Sequence, residues 1–106
     1  QSLLSKLSLI RQREPILIER IIKTLPLTSS VLKLNDRILL PVNIQYKSSK
    51  KVYKHNEGEI SFDPINKALV IYLASKEDNY EKIGYVLEGL ENLKNIKSGS
   101  YVLITK

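Results

Sequence analysis

The sequence predicts a small, mostly β domain with one or two short helices, built as a barrel or a sandwich. Three observations carry this reading. The chain has 106 residues, of which 42% are hydrophobic, a size and content suited to one domain around one core. Its apolar runs are strand-sized, as at residues 68–73, and none approaches the ~18 residues that cross a bilayer. Seven or eight such segments are divided by turn residues, and strands this many and this short usually close on themselves, which removes exposed edges.

The elements follow in order. Leu3, Leu7 and Leu9 alternate with polar neighbours, the period of a half-buried strand. The same stretch, interrupted by Ser5, Lys6 and Ser8, lacks the unbroken apolar core of a signal peptide. Glu14 and Pro15 open a helix, because proline's missing N–H costs nothing in the first turn. Ile18, Ile21, Ile22 and Leu25 give that helix one apolar face, and Pro26 ends it by pushing Leu25 out of the α region. Residues 28–34 read as a strand, Asn35 and Asp36 as a turn, and residues 37–44 as the return strand of a hairpin. Pro41 makes that return strand an edge, bulged or broken.

Residues 45–57 read as a long exposed loop or irregular ribbon, with Lys47, Lys50, Lys51, Lys54 and His55 set among Tyr46, Val52 and Tyr53. Beyond it come a short strand at 59–63, a turn at 64–67, a buried strand at 68–73 and a polar loop at 75–79. Residues 83–87 form a strand that runs into a helix at 90–96, with Leu90, Leu93 and Ile96 facing inward. Ser98 and Gly99 stop that helix, and 101–105 is the last strand. No internal repeat or low-complexity linker divides the chain, so residues 1–106 are read as a single domain.

Composition removes several function classes. With no cysteine there is no disulfide, thiolate nucleophile or thiolate metal site. The single histidine, His55, cannot build a histidine-based metal centre, so neither a metal nor another cofactor is expected. His55 is expected to be exposed in its lysine-rich surroundings. Absence of cysteine suits a cytoplasmic location, and the short apolar runs argue against a membrane partner.

The net charge is +6 and unevenly spread. Residues 1–55 hold 11 Lys/Arg against 3 Asp/Glu, whereas residues 56–106 hold 6 against 8. This asymmetry marks either an anionic partner or ordinary solvated surface. As a nucleic-acid surface, Lys50, Lys51 and Lys54 would neutralise phosphates while Tyr46 and Tyr53 stack on bases.

The segment 83–97 carries a more particular signal. Ile83, Gly84, Val86, Gly89, Leu90, Leu93 and Ile96 match a strand of the type F/I-G-x-V-x-x-G leading into a helix M/L-x-x-hydrophobic-x-x-I, and in this it resembles the cyclophilin family. Gly84 and Gly89 permit a close backbone approach and an abrupt turn, and the apolar helix positions plug an open end of a barrel. Residues 58–64 and 68–73 resemble the two core strands upstream of that motif. Together with Leu25-Pro26 and residues 41–44, they make the chain similar to a minimal prokaryotic branch of cyclophilin-like domains. The resemblance implies a closed eight-stranded β-barrel with two short helices.

It also implies an activity. Cyclophilins isomerise X–Pro bonds, whose barrier of ~20 kcal/mol reflects amide resonance. They do so with an arginine that stabilises the twisted amide and an apolar floor for the proline ring. By this resemblance Arg37 is the candidate catalytic residue, although Asp36 stands where the family has histidine. Phe62 matches a pocket-edge position with Asp63 beside it, and is either a groove residue or ordinary core. The family's Q-F-F-type core motif has no counterpart here, where Lys67-Ala-Leu-Val-Ile71 stands instead. The expected function is therefore a non-catalytic or weakly active module for a proline-containing peptide or small ligand. The alternatives are a genuine prolyl isomerase, a nucleic-acid-binding domain using residues 46–55, and an assembly subunit. Oligomeric state stays open.

Overall fold

The computed structural model describes residues 2–10, 14–47 and 50–105, with backbone alone for 2–4. The side chain of Leu3 and residues 48–49 of the irregular segment lie outside the described residues. The protein is mostly β, a nearly closed, barrel-shaped sheet of eight strands with two helices.

The strands are β1 (Ser2–Leu9), β2 (Leu27–Ser30), β3 (Leu32–Lys33), β4 (Arg37–Pro41), β5 (Tyr53–His55), β6 (Glu59–Asp63), β7 (Ala68–Tyr72), β8 (Lys76–Asp78), β9 (Lys82–Glu88) and β10 (Tyr101–Thr105). The helices are α1 (Pro15–Thr24) and α2 (Leu90–Asn95). The large sheet runs β2-β10-β1-β9-β6-β7-β4-β3, while β5 and β8 pair with each other as a separate two-stranded ribbon. All pairings are antiparallel except β1 with β10.

The segment expected as one strand at 28–34 is two strands that serve opposite ends of the sheet. β2 pairs with β10, β3 pairs with β4, and Val31 lies between them. Val31 donates its N–H to Ser100 O at 2.9 Å and accepts from Gly99 N–H at 2.8 Å, which pins the crossover. Ser29 Oγ donates to Pro41 O at 3.2 Å, so a side chain spans the seam where no backbone ladder runs. Pro41 ends β4, because it has no N–H to continue a ladder. Past it, Val42 and Asn43 both donate to Lys67 O, at 3.0 and 3.2 Å.

Both helices feed the interior. Leu17, Ile18 and Ile21 of α1 are buried, and α1 stops at Thr24 ahead of an extended Leu25. Leu93 of α2 is buried, with Ile96 just beyond it and Leu90 packed against the same cluster. The inner faces of the strands supply Leu7, Ile38, Leu40, Ile60, Phe62, Leu69, Ile71, Ile83, Val102 and Ile104. Each such side chain contributes ~1.5–3 kcal/mol on full burial.

The two motif glycines are needed for separate reasons. A Cβ on Gly84 would sit 2.1 Å from Ser8 O, inside the β1–β9 contact. Gly89, at φ 93°, takes the left-handed turn from β9 into α2.

Of the loop and the ribbon expected for residues 45–57, a ribbon forms at 53–55, and the polar loop expected at 75–79 is corrected. Residues 53–55 and 76–78, read as irregular and polar loop, pair in register with Tyr53 opposite Asp78 and His55 opposite Lys76. Neither segment has the apolar alternation of a strand, because this ribbon is held by polar side chains.

Candidate functional site

Register decides which candidate residues share a face. Arg37 lies opposite Tyr72 on β7, and Phe62 lies opposite Leu69. Tyr72 and Leu69 are three residues apart on one strand, so their side chains project from opposite faces. Phe62 therefore joins the interior with Leu69 and Ile71, while Arg37 lies outside with Tyr72. The structure does not bring Arg37 and Phe62 into one cleft. Arg37 Nη1 instead bonds Asp36 Oδ1 at 2.7 Å, and Lys76 Nζ reaches Asp36 Oδ2 at 3.3 Å. Burial alone raises the Asp36 carboxyl, but the hydrogen bonds and charges of Arg37 and Lys76 outweigh it and hold the group below its ordinary value.

Phe62 belongs to the interior and also reaches a cleft. Its side chain is 4% exposed within the core, and it also lines a cleft of about 330 Å³. The cleft lies between the start of α1, residues 46, 47, 50, 51 and 53, the end of β6 and the turn from β8 to β9. Leu17, Phe62 and Pro64 form its apolar floor. Tyr46, Tyr53 and Tyr80 stand around it, with Glu14 and Glu81 among them and Lys47, Lys50 and Lys51 alongside. Lys54 projects from the other side of β5, exposed and away from the cleft.

The tyrosines are held by carboxylates. Tyr53 donates its hydroxyl to Glu81 Oε1 at 3.0 Å. Tyr46 bonds Glu14, and burial together with that bond raises the Tyr46 hydroxyl above its ordinary value. Tyr80 is raised by burial and by the charge and hydrogen bond of Asp63. Asp63 is itself buried and turns back on its own loop, accepting from the N–H groups of Ile65 and Asn66 at 2.9 and 3.1 Å and from Asn66 Nδ2 at 2.7 Å. Expected as a ligand residue, Asp63 folds the β6–β7 turn and braces Tyr80.

His55 overturns its expectation most sharply. It is 1% exposed, not solvated, and its ring stacks on Tyr72 with centroids 4.1 Å apart and planes 5° from parallel. His55 Nε2 lies 2.8 Å from Asp78 Oδ1, and because a carboxylate only accepts, Nε2 carries the hydrogen. Asp78 Oδ1 also accepts from Tyr80 N–H at 3.0 Å, and Asp78 Oδ2 from Tyr72 at 2.5 Å. With the Tyr72 proton so engaged, Ser61 Oγ donates to the Tyr72 oxygen at 2.7 Å. Burial and the Asp78 carboxylate push the Tyr72 hydroxyl far above the ordinary tyrosine range.

This chain of four side chains fastens the β5–β8 ribbon onto the outer face of β6 and β7. Ser61 and His55 are not bonded to each other, and both are buried, so they do not form a nucleophile and its base. The network instead sets the backbone that carries Tyr53 on one strand of the ribbon and Tyr80 and Glu81 just past the other. Sequence reasoning missed Glu14, Tyr80 and Glu81 as cleft residues and Tyr72 and Asp78 as the anchor. The one available signal was the spacing of Tyr53 and His55, which places both on the same side of a strand.

Among the described residues no cluster of histidine, aspartate and glutamate is arranged to hold a metal ion, and no helix is long and apolar enough to cross a membrane. No protein-family model matches the chain, and no curated protein does so either.

Proposed function

We propose that the chain is a cyclophilin-like barrel that serves as a binding module for an extended peptide or small ligand, with weak isomerase activity or none. The observation that carries this is convergence. Phe62, singled out as a groove residue, and Tyr46, Lys50, Lys51 and Tyr53, singled out as a basic aromatic surface, all line the same cleft. An apolar floor with a few placed polar groups in ~300–1,000 Å³ is the usual form of a small-ligand site. A proline-containing peptide at millimolar concentration is expected to shift the NMR signals of Tyr46, Tyr53 and Phe62 and to leave those of Arg37 in place. Unmoved cleft signals with every peptide and small ligand tried overturn the reading.

A second reading, single-stranded nucleic acid, is favoured by the same placement of Tyr46, Tyr53, Lys50 and Lys51. Salt-dependent retention on single-stranded RNA that falls with Lys50→Ala and Lys51→Ala supports it, and retention unchanged by both removes it. Glu14 and Glu81 on the cleft weigh against it, because a carboxylate beside a phosphate is repulsive.

A further inference from the structure

The Glu81 carboxylate is only half used by the protein. Its Oε1 accepts from Tyr53, but its Oε2 is buried with no hydrogen-bond partner. A buried acceptor left unpaired forfeits its hydration without a replacement bond, so its persistence calls for an explanation. Glu81 lines the cleft, and Glu14 does too. The Tyr46 hydroxyl is bonded to Glu14 and also lies in the field of Glu81. Two carboxylates and three tyrosine rings thus meet beside the apolar floor. Such a place suits a cationic N–H donor, which satisfies the orphaned oxygen directly and is attracted by the aromatic faces. The neighbouring Lys47 and Lys50 repel a simple cation but attract an anion.

From these features we infer that the cleft takes a small zwitterion, with its ammonium group on Glu81 Oε2, its apolar part over Phe62 and Leu17, and its carboxylate toward Lys47 and Lys50. This rests on the ligand-binding reading above and narrows it to a chemical class. A free amino acid with an apolar side chain and the end of a short peptide share this chemistry, and the experiment separates them.

The test is calorimetric titration of the whole chain with L-leucine, Leu-Gly-Gly, leucinamide and N-acetyl-leucine. The ammonium site requires that N-acetyl-leucine bind at least tenfold more weakly than L-leucine or Leu-Gly-Gly, whichever binds better. It also requires that Glu81→Gln cost the better ligand at least tenfold while the thermal unfolding temperature stays within a few degrees of wild type. Should Glu81→Gln disturb folding, Glu14→Gln, on the other carboxylate of the cleft, is to show at least a threefold loss. A weaker leucinamide places the carboxylate on the lysines. Tighter binding of Leu-Gly-Gly than of L-leucine identifies the peptide end as the source. If N-acetyl-leucine binds as well as L-leucine, or if Glu81→Gln changes nothing, the zwitterion inference is overturned while the ligand-binding module stands. If none of the four probes nor any proline-containing peptide binds, both fall.

Discussion

On its inner face β7 presents Leu69 and Ile71 to an apolar interior, whereas on its outer face Ala68 and Val70 pack with Leu39, and Tyr72 is hydrogen-bonded to the β5–β8 ribbon. Both faces are buried, and all five residues of the strand are inaccessible. The inner side is held by shape and by water exclusion, which no single partner defines. The outer side joins a small apolar cluster to a chain of specific hydrogen bonds from Ser61 through Tyr72 and Asp78 to His55 Nε2. The apolar face sets the barrel, and the polar face sets the position of the β5–β8 ribbon and so of Tyr53, Tyr80 and Glu81.

Four substitutions test that contrast. Ile71→Ala opens a cavity in the interior and is expected to cost about 2–5 kcal/mol in chemical denaturation. Tyr72→Phe keeps the ring stack but leaves Asp78 Oδ2 and Ser61 Oγ without their partner, at about 1–3 kcal/mol. Its signature is local. Amide hydrogen exchange should accelerate in β5 and β8 well before β6 and β7, and uniform acceleration across the sheet breaks the proposed division between the two faces.

Glu59 tests a third kind of contact, a partly buried ion pair on the rim. Lys82 Nζ lies 2.7 Å from Glu59 Oε2, and Asn56 N–H donates to Glu59 Oε1 at 2.7 Å. Burial alone raises this carboxyl, but those bonds and the Lys82 charge outweigh it and lower it below its ordinary value. A group lowered in the folded state adds stability above its unfolded value, near pH ~4.3, and that stability is lost as pH falls through the folded value. Thermal unfolding from pH 7 to pH 2 should show the wild type losing on the order of 1 kcal/mol more than Glu59→Gln. Parallel curves for the two proteins contradict this. The smallest effect belongs to Arg37→Ala, which removes a surface pair worth about 0–1 kcal/mol. In a protease-coupled proline-peptide assay it should leave any isomerase rate unchanged, and a drop of tenfold or more would restore Arg37 as catalytic.

Much of the chain was legible because its signals are local. The bounds of 59–63 and 101–105 agree with β6 and β10 residue for residue, since each is a short strand-sized segment that follows a glycine turn, at Gly58 and at Gly99-Ser100. Pro15 and Pro26 bracket α1, and Gly89 opens α2, because each of these residues restricts or frees its own backbone. The single strand read at 28–34 failed because the break at Val31 is imposed by Gly99 and Ser100, far along the chain. The partner strand of the ribbon was missed because Lys76-Glu77-Asp78, like Tyr53-Lys54-His55, carries no apolar period.

The site divides in the same way. Composition by itself removed thiol chemistry and a histidine-built metal centre, the interleaving of lysine and tyrosine marked Tyr46, Lys50, Lys51 and Tyr53, and the family resemblance marked Phe62. Only the tertiary structure decided that these five meet at one cleft, that Arg37 faces away from it, and that His55 is a buried fastener. The physical reason lies in the pairing of strands. A residue's own identity announces what it can bond, but which face it occupies depends on register with a neighbour chosen elsewhere in the chain, and a shift of one residue reverses that face.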